Sequence, residues 1–342
     1  MLNIQPIESE PTWNNFLLQQ NSNTFLQSWQ WGSLQATEEE KVRYLGIFNG
    51  TQQIGAGLLI TVAARRGKFL LCPHGPIITK DEHSLPALTA YVEYARNIAK
   101  EDQAVALKIA PLFIANVANQ KMFQDLGFRP APLHIHTEET WILNINQSPD
   151  QLLAGMRKTT RHAIRKAEKE GVRIEITRDP LAINRFWPLY EKTKTRHDFT
   201  PFPKTFLEKQ FTMFNKDADH AYLAIATHQN QDVAAGMFIQ FGKTVFYHHG
   251  ASKQLSSKIS PTQLLQWRSI REAISRGATR YNFWGIAPEN SPSSHPFAGI
   301  TTFKKGFGGQ AINYLHAQDL PLSWRYWPLW FVDTYRKTKR GF

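Results

Sequence analysis

Val233-Ala234-Ala235-Gly236-Met237-Phe238-Ile239 is the stretch on which the fold turns. Seven apolar or small residues in a row, preceded by the polar turn His228–Gln231, read as a strand buried on both faces. Ahead of the turn, Tyr222-Leu223-Ala224-Ile225-Ala226 supplies a partner strand; beyond it, Val245-Phe246-Tyr247-His248-His249-Gly250 supplies a third. Pro261 to Arg276 has helical spacing, with Leu264, Leu265, Trp267, Ile270 and Ile274 as its apolar positions. Tyr281-Asn282-Phe283-Trp284 is a short strand, and Phe303-Lys304-Lys305-Gly306-Phe307 closes the unit.

The same order runs through the first half. Tyr44–Phe48, the turn Thr51–Gln53 and Ile54–Ile60 form the hairpin, and Phe69-Leu70-Leu71 leads into Pro73-His74-Gly75-Pro76. A helix over Ser84–Lys100, a strand over Ala104–Ile109 and the ending Met122–Phe128 follow. Tyr44 and Gly57 are 13 residues apart and Tyr222 and Gly236 are 14 apart, so the chain reads as a duplication. The expected class is α+β in three parts: a first domain over 1–146, a second over 147–316, and an aromatic and basic segment over 317–342.

Each unit resembles the GNAT acyltransferase fold, a mixed, mostly antiparallel sheet flanked by helices. Acetyl-CoA use in that fold would call for a glycine-rich turn at a helix N-terminus, where backbone N–H groups meet pyrophosphate. The corresponding turns, Ser256–Pro261 and Ile78–Glu82, lack closely spaced glycines. Acetyl-CoA is therefore not expected, nor is any other bound cofactor.

Composition narrows the setting. The 42% hydrophobic and 20% charged make-up is that of a globular chain. One cysteine, Cys72, forbids an internal disulfide and suits a reducing compartment. The N-terminus has no basic head and apolar core, and no stretch reaches about 18 uninterrupted apolar residues, so a cytoplasmic protein is expected, at most lying on a membrane face. Charge is lopsided: residues 1–146 carry 11 Lys+Arg against 13 Asp+Glu, and residues 147–342 carry 29 against 15. A polyanionic partner for the second half follows, unless the excess serves only solubility.

Four segments together resemble the FemABX peptidyltransferases: Phe25–Gly32, Met156–Val172, Thr193–Phe199 and Phe303–Gly309. They span about 300 residues in the family's order. The resemblance implies a compact, monomeric member without the long helical arm, similar to the lipid II:glycine glycyltransferases. It implies transfer of an amino acid from aminoacyl-tRNA, as co-substrate, to the stem peptide of a lipid-linked or UDP-linked peptidoglycan precursor. It also implies Lys304 as the catalytic group stabilising the oxyanion, with Lys305 its rival and Phe303 and Phe307 shaping a channel or packing. Trp31 and Gln35 mark the acceptor side, Gln35 standing where members carry a basic residue. Attack of an amine on an activated ester needs alignment and charge stabilisation more than a strong base. No Gly-x-Ser-x-Gly, catalytic thiol or zinc-ligand spacing competes, and no metal is expected.

Other candidates rest on the residues themselves. Ser148, Pro149 and Gln151 read as a capped helix start, running into Arg157, Arg161 and Arg165 at steps of four, flanked by Lys158, Lys166 and Lys169. That stripe fits tRNA phosphates or, blandly, a solvated face. Arg196 suits a phosphate grip, or a surface pair with Asp198 or Glu191. Tyr247 and His249 alternate onto one strand face and so qualify for a groove, or as core groups. Trp324, Tyr326, Trp327, Trp330, Phe331 and Tyr335 run into Arg336, Lys337, Lys339 and Arg340, which suits an anionic membrane surface, packing on the first domain, or both. A tRNA-independent N-acyltransferase acting on a surface polymer and a non-catalytic tRNA- or membrane-binding protein remain the alternatives.

Overall fold

The hairpin at 221–241 forms as its alternation and turn dictate, and its second strand is buried on both faces over Val233–Ile239. Around it the computed structural model describes residues 2–64, 67–197, 201–216, 219–255 and 259–340. The chain opens with β1 (Leu2–Pro6), α1 (Glu10–Leu18), α2 (Trp29–Ala36), β2 (Lys41–Asn49) and β3 (Gln52–Ala64). It continues with β4 (Gly67–Pro73), β5 (Ile77–Ile78), α3 (Ser84–Asp102), β6 (Ala104–Ala110), α4 (Val117–Asp125) and β7 (Arg129–Pro130). Next come β8 (Glu139–Asn144), α5 (Pro149–Gly155), α6 (Lys158–Lys169), β9 (Arg173–Thr177), α7 (Ile183–His197) and α8 (Lys204–Asn215). β10 (Ala221–His228), β11 (Gln231–Phe241), β12 (Thr244–Ser252), α9 (Pro261–Ser275), β13 (Arg280–Gly285) and α10 (Ala298–Lys305) follow. β14 (Gln310–Asn313), β15 (Gln318–Pro321) and α11 (Tyr326–Arg340) end it.

Two compact units result, 1–138 with 313–342, and 139–312. The first sheet has the order β1-β2-β3-β4-β6-β15-β7, with β5 on β3. The second, read from its other edge, has β9-β10-β11-β12-β13-β8-β14. From β1 to β7 in the first and from β9 to β8 in the second, the pairings are antiparallel except at one parallel step, β4–β6 and β12–β13, where a crossover helix intervenes. The matching orders express the repeat.

One feature moves the domain limits from those expected. By chain position β8 follows β7 as β15 follows β14, yet β8 pairs with β13 and β15 pairs with β6. The limits expected at 146 and 316 therefore fall at 138 and 312, and the C-terminal segment belongs to the first unit. Strand pairing over this distance leaves no local sequence signal.

In the first unit, α3 supplies Ala87, Leu88, Tyr91 and Val92 to one apolar layer. In the second, α5, α6 and α9 supply Leu152, Ile164, Ala167, Leu264 and Ile270 beneath Tyr222, Phe238 and Tyr281. Each buried Leu, Ile, Val or Phe among them contributes about 1.5–3 kcal/mol.

Candidate functional site

The first family-like segment is structural. Ser28 caps α2, its Oγ accepting from the Trp31 N–H at 3.1 Å. Gln27 is fully buried; its Oε1 accepts from the Leu58 N–H at 2.9 Å and its Nε2 donates to the Pro73 carbonyl. Leu58 falls between the part of β3 that pairs with β4, from Ile60 on, and the part that pairs with β5, up to Ala56. Gln27 thus fills a gap in the ladder, a role the sequence reading missed. Trp31 is buried, its ring edge-on against Phe25 at 5.8 Å, so it packs in the core. Gln35 ends α2 half-buried, its carbonyl accepting from the Glu38 N–H at 3.0 Å.

The basic segment is not one helix. The capping box is present, with the Ser148 N–H donating to Gln151 Oε1 at 2.9 Å and the Gln151 N–H to Ser148 Oγ at 3.2 Å. The chain then breaks at Met156 and Arg157, both extended with ψ of 154° and 145°. Gly155 ends α5 just before the break, and the Arg157 N–H donates to the Gly306 carbonyl at 3.0 Å instead of continuing a helix. Arg161 folds back so that Nη1 reaches the carbonyls of Leu153, Ala154 and Met156 at 3.3, 2.9 and 2.6 Å, capping the end of α5. Arg157 Nη1 donates to the Thr302 carbonyl at 3.3 Å. The expected stripe of three arginines is therefore corrected: two of them bind backbone. Lys158, Arg165 and Lys169 are exposed and Lys166 is half-exposed.

Tyr247 and His249 do not share a face. Met237 pairs with His249 and Phe238 with Tyr247, so His248 is an extra residue in a β-bulge. Tyr247 stacks on Phe238 at 5.3 Å among the α9-side core, where burial pushes its hydroxyl up to about 12. His249 faces the other way, 3.3 Å from Gln210 Oε1 on α8 and edge-on to Tyr190 on α7, and burial lowers it to about 3. Both are packed core groups, and the alternation argument fails at the bulge. Arg196 is near the end of α7 with its side chain outside the described residues, as are Asp198, Phe199 and the Ser256–Lys258 part of the turn after β12.

The last segment builds the most reactive group. β12 and β13 pair only over Thr244–Phe246 and Arg280–Asn282. Past this point Trp284 takes a left-handed φ of 67°, its N–H donating to Asn282 Oδ1 at 2.7 Å and its ring edge-on to His248 at 5.7 Å. The chain after β13 is stitched to α10 by two bonds. Lys304 Nζ donates to the Gly285 carbonyl at 2.5 Å, and the Ala287 N–H donates to Thr301 Oγ1 at 2.7 Å. Lys304 is 4% exposed, and burial lowers its amine to about 7. Such an amine is divided between its charged and neutral forms near neutrality, suited to donating a hydrogen bond or taking a proton.

Its neighbours divide clearly. Lys305 is exposed, its ammonium 5.5 Å from the Trp141 ring, while Phe307 is buried against Phe283 at 5.2 Å and Phe303 packs on it at 5.3 Å. Of the two roles expected for Phe303 and Phe307, these contacts are those of packing. Gly306 lets Thr160 approach, since a Cβ would sit 2.5 Å from its hydroxyl; Gly309, at φ 97°, would place one 2.4 Å from the Ile142 carbonyl. The first unit has Gln124, exposed, where this segment has Lys304, so the buried amine is particular to the second unit.

Comparison with known proteins agrees with this fold. The FemAB family model matches residues 9–229 and 204–327. The chain is 31% identical over 110 residues to the aminoacyltransferase FemA of Staphylococcus epidermidis, an alignment covering 32% of this chain and only 26% of that protein. It is 20% identical over 363 residues to the lipid II:glycine glycyltransferase of a Staphylococcus epidermidis strain, covering 86% of each. The crystal structure of FemX superposes with a TM-score of 0.83 at 18% identity, over 96% of this chain and 99% of that one. A tandem GNAT protein from the clavulanic acid biosynthesis pathway gives 0.56 at 11% identity, over 94% and 99%, so the fold is that of paired GNAT-like units. With both family-model segments and the full-length fold accounted for, the chain belongs to the FemAB family.

Proposed function

We propose that this protein is an aminoacyltransferase that extends the stem peptide of a peptidoglycan precursor, with Lys304 at the reacting centre. The carrying observation is the desolvated Lys304 amine, held at the end of β13 where β12 and β13 have parted. The names of the FemA and glycyltransferase relatives support the reaction class and a lipid-linked acceptor. In the reaction the acceptor nitrogen forms a C–N bond to the ester carbonyl, whose oxygen gathers charge. The ester C–O bond then breaks and the departing ribose hydroxyl takes the proton. Lys304, when protonated, stabilises the oxyanion.

The donor in this reading is aminoacyl-tRNA, with no separate cofactor and no acetyl-CoA. Lys158, Arg165, Lys166 and Lys169 meet its phosphates, and Arg196 and Lys305 hold acceptor phosphate. The test is transfer of labelled amino acid from aminoacyl-tRNA to a muropeptide, native against Lys304→Met. Loss of about 100-fold or more in the variant supports the assignment; full activity in the variant removes Lys304, and no transfer from any aminoacyl-tRNA removes the reaction.

The engagement of Arg157 and Arg161 with backbone carbonyls favours a second reading, an N-acyltransferase that needs no tRNA. Transfer from a tRNA-free activated acyl donor, undiminished by ribonuclease, would select it.

A further inference from the structure

The C-terminal helix buries one face and leaves the other unused. Tyr326 is buried, its hydroxyl donating to Asp319 at 2.9 Å, and Asp333 lies 4.0 Å from Lys108 on the same side. On the opposite side Trp324, Trp327, Phe331 and Tyr335 recur at steps of three and four, forming one stripe, and are 74%, 38%, 64% and 70% exposed. Exposed aromatics in such a row are costly in water and mark an interaction surface.

Charge complementarity selects the occupant. Residues 324–342 carry five basic residues, Arg325, Arg336, Lys337, Lys339 and Arg340, against one acid, Asp333. The basic residues flank the stripe and none falls between Tyr326 and Tyr335. Over that stretch Arg129 lies 4.5 Å from the Trp327 ring, but the helix itself offers a nucleic-acid backbone ten residues without a cation. An anionic lipid surface needs the arrangement that is present, aromatic rings at headgroup depth and cations beside them. At the head of the stripe a cavity of about 580 Å³ is walled by Glu93, Arg96, Lys100, Trp324 and Arg325; Glu93 pairs with Arg96 at 3.3 Å, and Lys100 and Arg325 leave the lining net positive, space and charge for one phospholipid headgroup. No helix among the described residues is long and apolar enough to cross a membrane, so α11 would lie in the interface plane.

We propose that α11 docks this protein on an anionic lipid surface, the aromatic stripe entering the headgroup layer and the Arg96/Lys100/Arg325 cavity taking a phospholipid headgroup. The inference rests on α11 and its cavity alone and stands whether or not the transfer reaction does.

The test is co-sedimentation of the full chain with phosphatidylglycerol–phosphatidylcholine vesicles and with phosphatidylcholine vesicles, at low and high salt. Binding to the anionic vesicles that salt weakens is expected. A Trp324→Ser/Phe331→Ser/Tyr335→Ser variant should bind at least ~10-fold more weakly. An Arg325→Gln/Arg336→Gln/Lys337→Gln variant should lose about 100-fold. Both alter exposed side chains, and circular dichroism checks that they fold. Deacylated tRNA binding, measured on the same proteins, should not change in the aromatic variant. The proposal is overturned by no sedimentation with anionic vesicles, by equal binding to neutral ones, by native-like binding of either folded variant, or by loss of tRNA binding with vesicle binding intact.

Discussion

Lys304 and Gly285 are joined through a 2.5 Å hydrogen bond, side-chain amine to main-chain carbonyl, across 19 residues of sequence. The bond pins α10 to the end of β13 and keeps an amine out of water. Burial lowers that amine from 10.5 to about 7. The folded state therefore binds fewer protons than the unfolded state between those values, and stability rises with pH across the window. Relative to native, Lys304→Met should gain about 4 kcal/mol in stability on going from about pH 10 to about pH 6. Urea unfolding at both ends measures it, and a pH-independent difference would show that the amine is solvated.

Arg161 and Arg165 look equivalent in sequence but should behave differently. Arg161 caps three carbonyls, and Arg161→Ala should cost about 1–3 kcal/mol in denaturant unfolding. Arg165 is exposed, and Arg165→Ala should stay within about 0.5 kcal/mol. In tRNA binding the order reverses, with Arg165→Ala lowering the salt slope by about one.

Gln27→Ala should lower stability by about 2–4 kcal/mol, since the Leu58 N–H and the Pro73 carbonyl both lose their partner in a buried place. Transfer activity per folded molecule should be unchanged. A loss of kcat at full stability would return this segment to the acceptor side.

Acid should destabilise the fold well before carboxylates titrate. Burial lowers His249 to about 3 and His136 to about 4, and His74 well below 6.5. Each binds a proton when unfolded but not when folded, so stability is full above 6.5 and declines as pH falls toward those lower values. His249→Gln should flatten that decline in a plot of unfolding free energy against pH.

Apolar runs such as Val233–Ile239 and Ile54–Ile60, with turn residues between them, determined strand, helix and repeat order, because burial on both faces demands uninterrupted apolar sequence. The Phe303–Gly309 segment likewise announced itself through residue types. Only the tertiary structure decided where these pieces act. The bulge at His248 turned Tyr247 and His249 to opposite faces, and past Gly155 the Gly306 carbonyl took the Arg157 N–H across 149 residues of chain. The exchange of β8 and β15 between sheets joined residues 313–342 to the first unit. Each outcome hangs on a partner far away in the chain, and hydrogen bonds to such partners leave no periodicity in the sequence. The depressed Lys304 amine is of the same kind: lysine is written in the sequence, but the water removed from around it is a property of the packed fold.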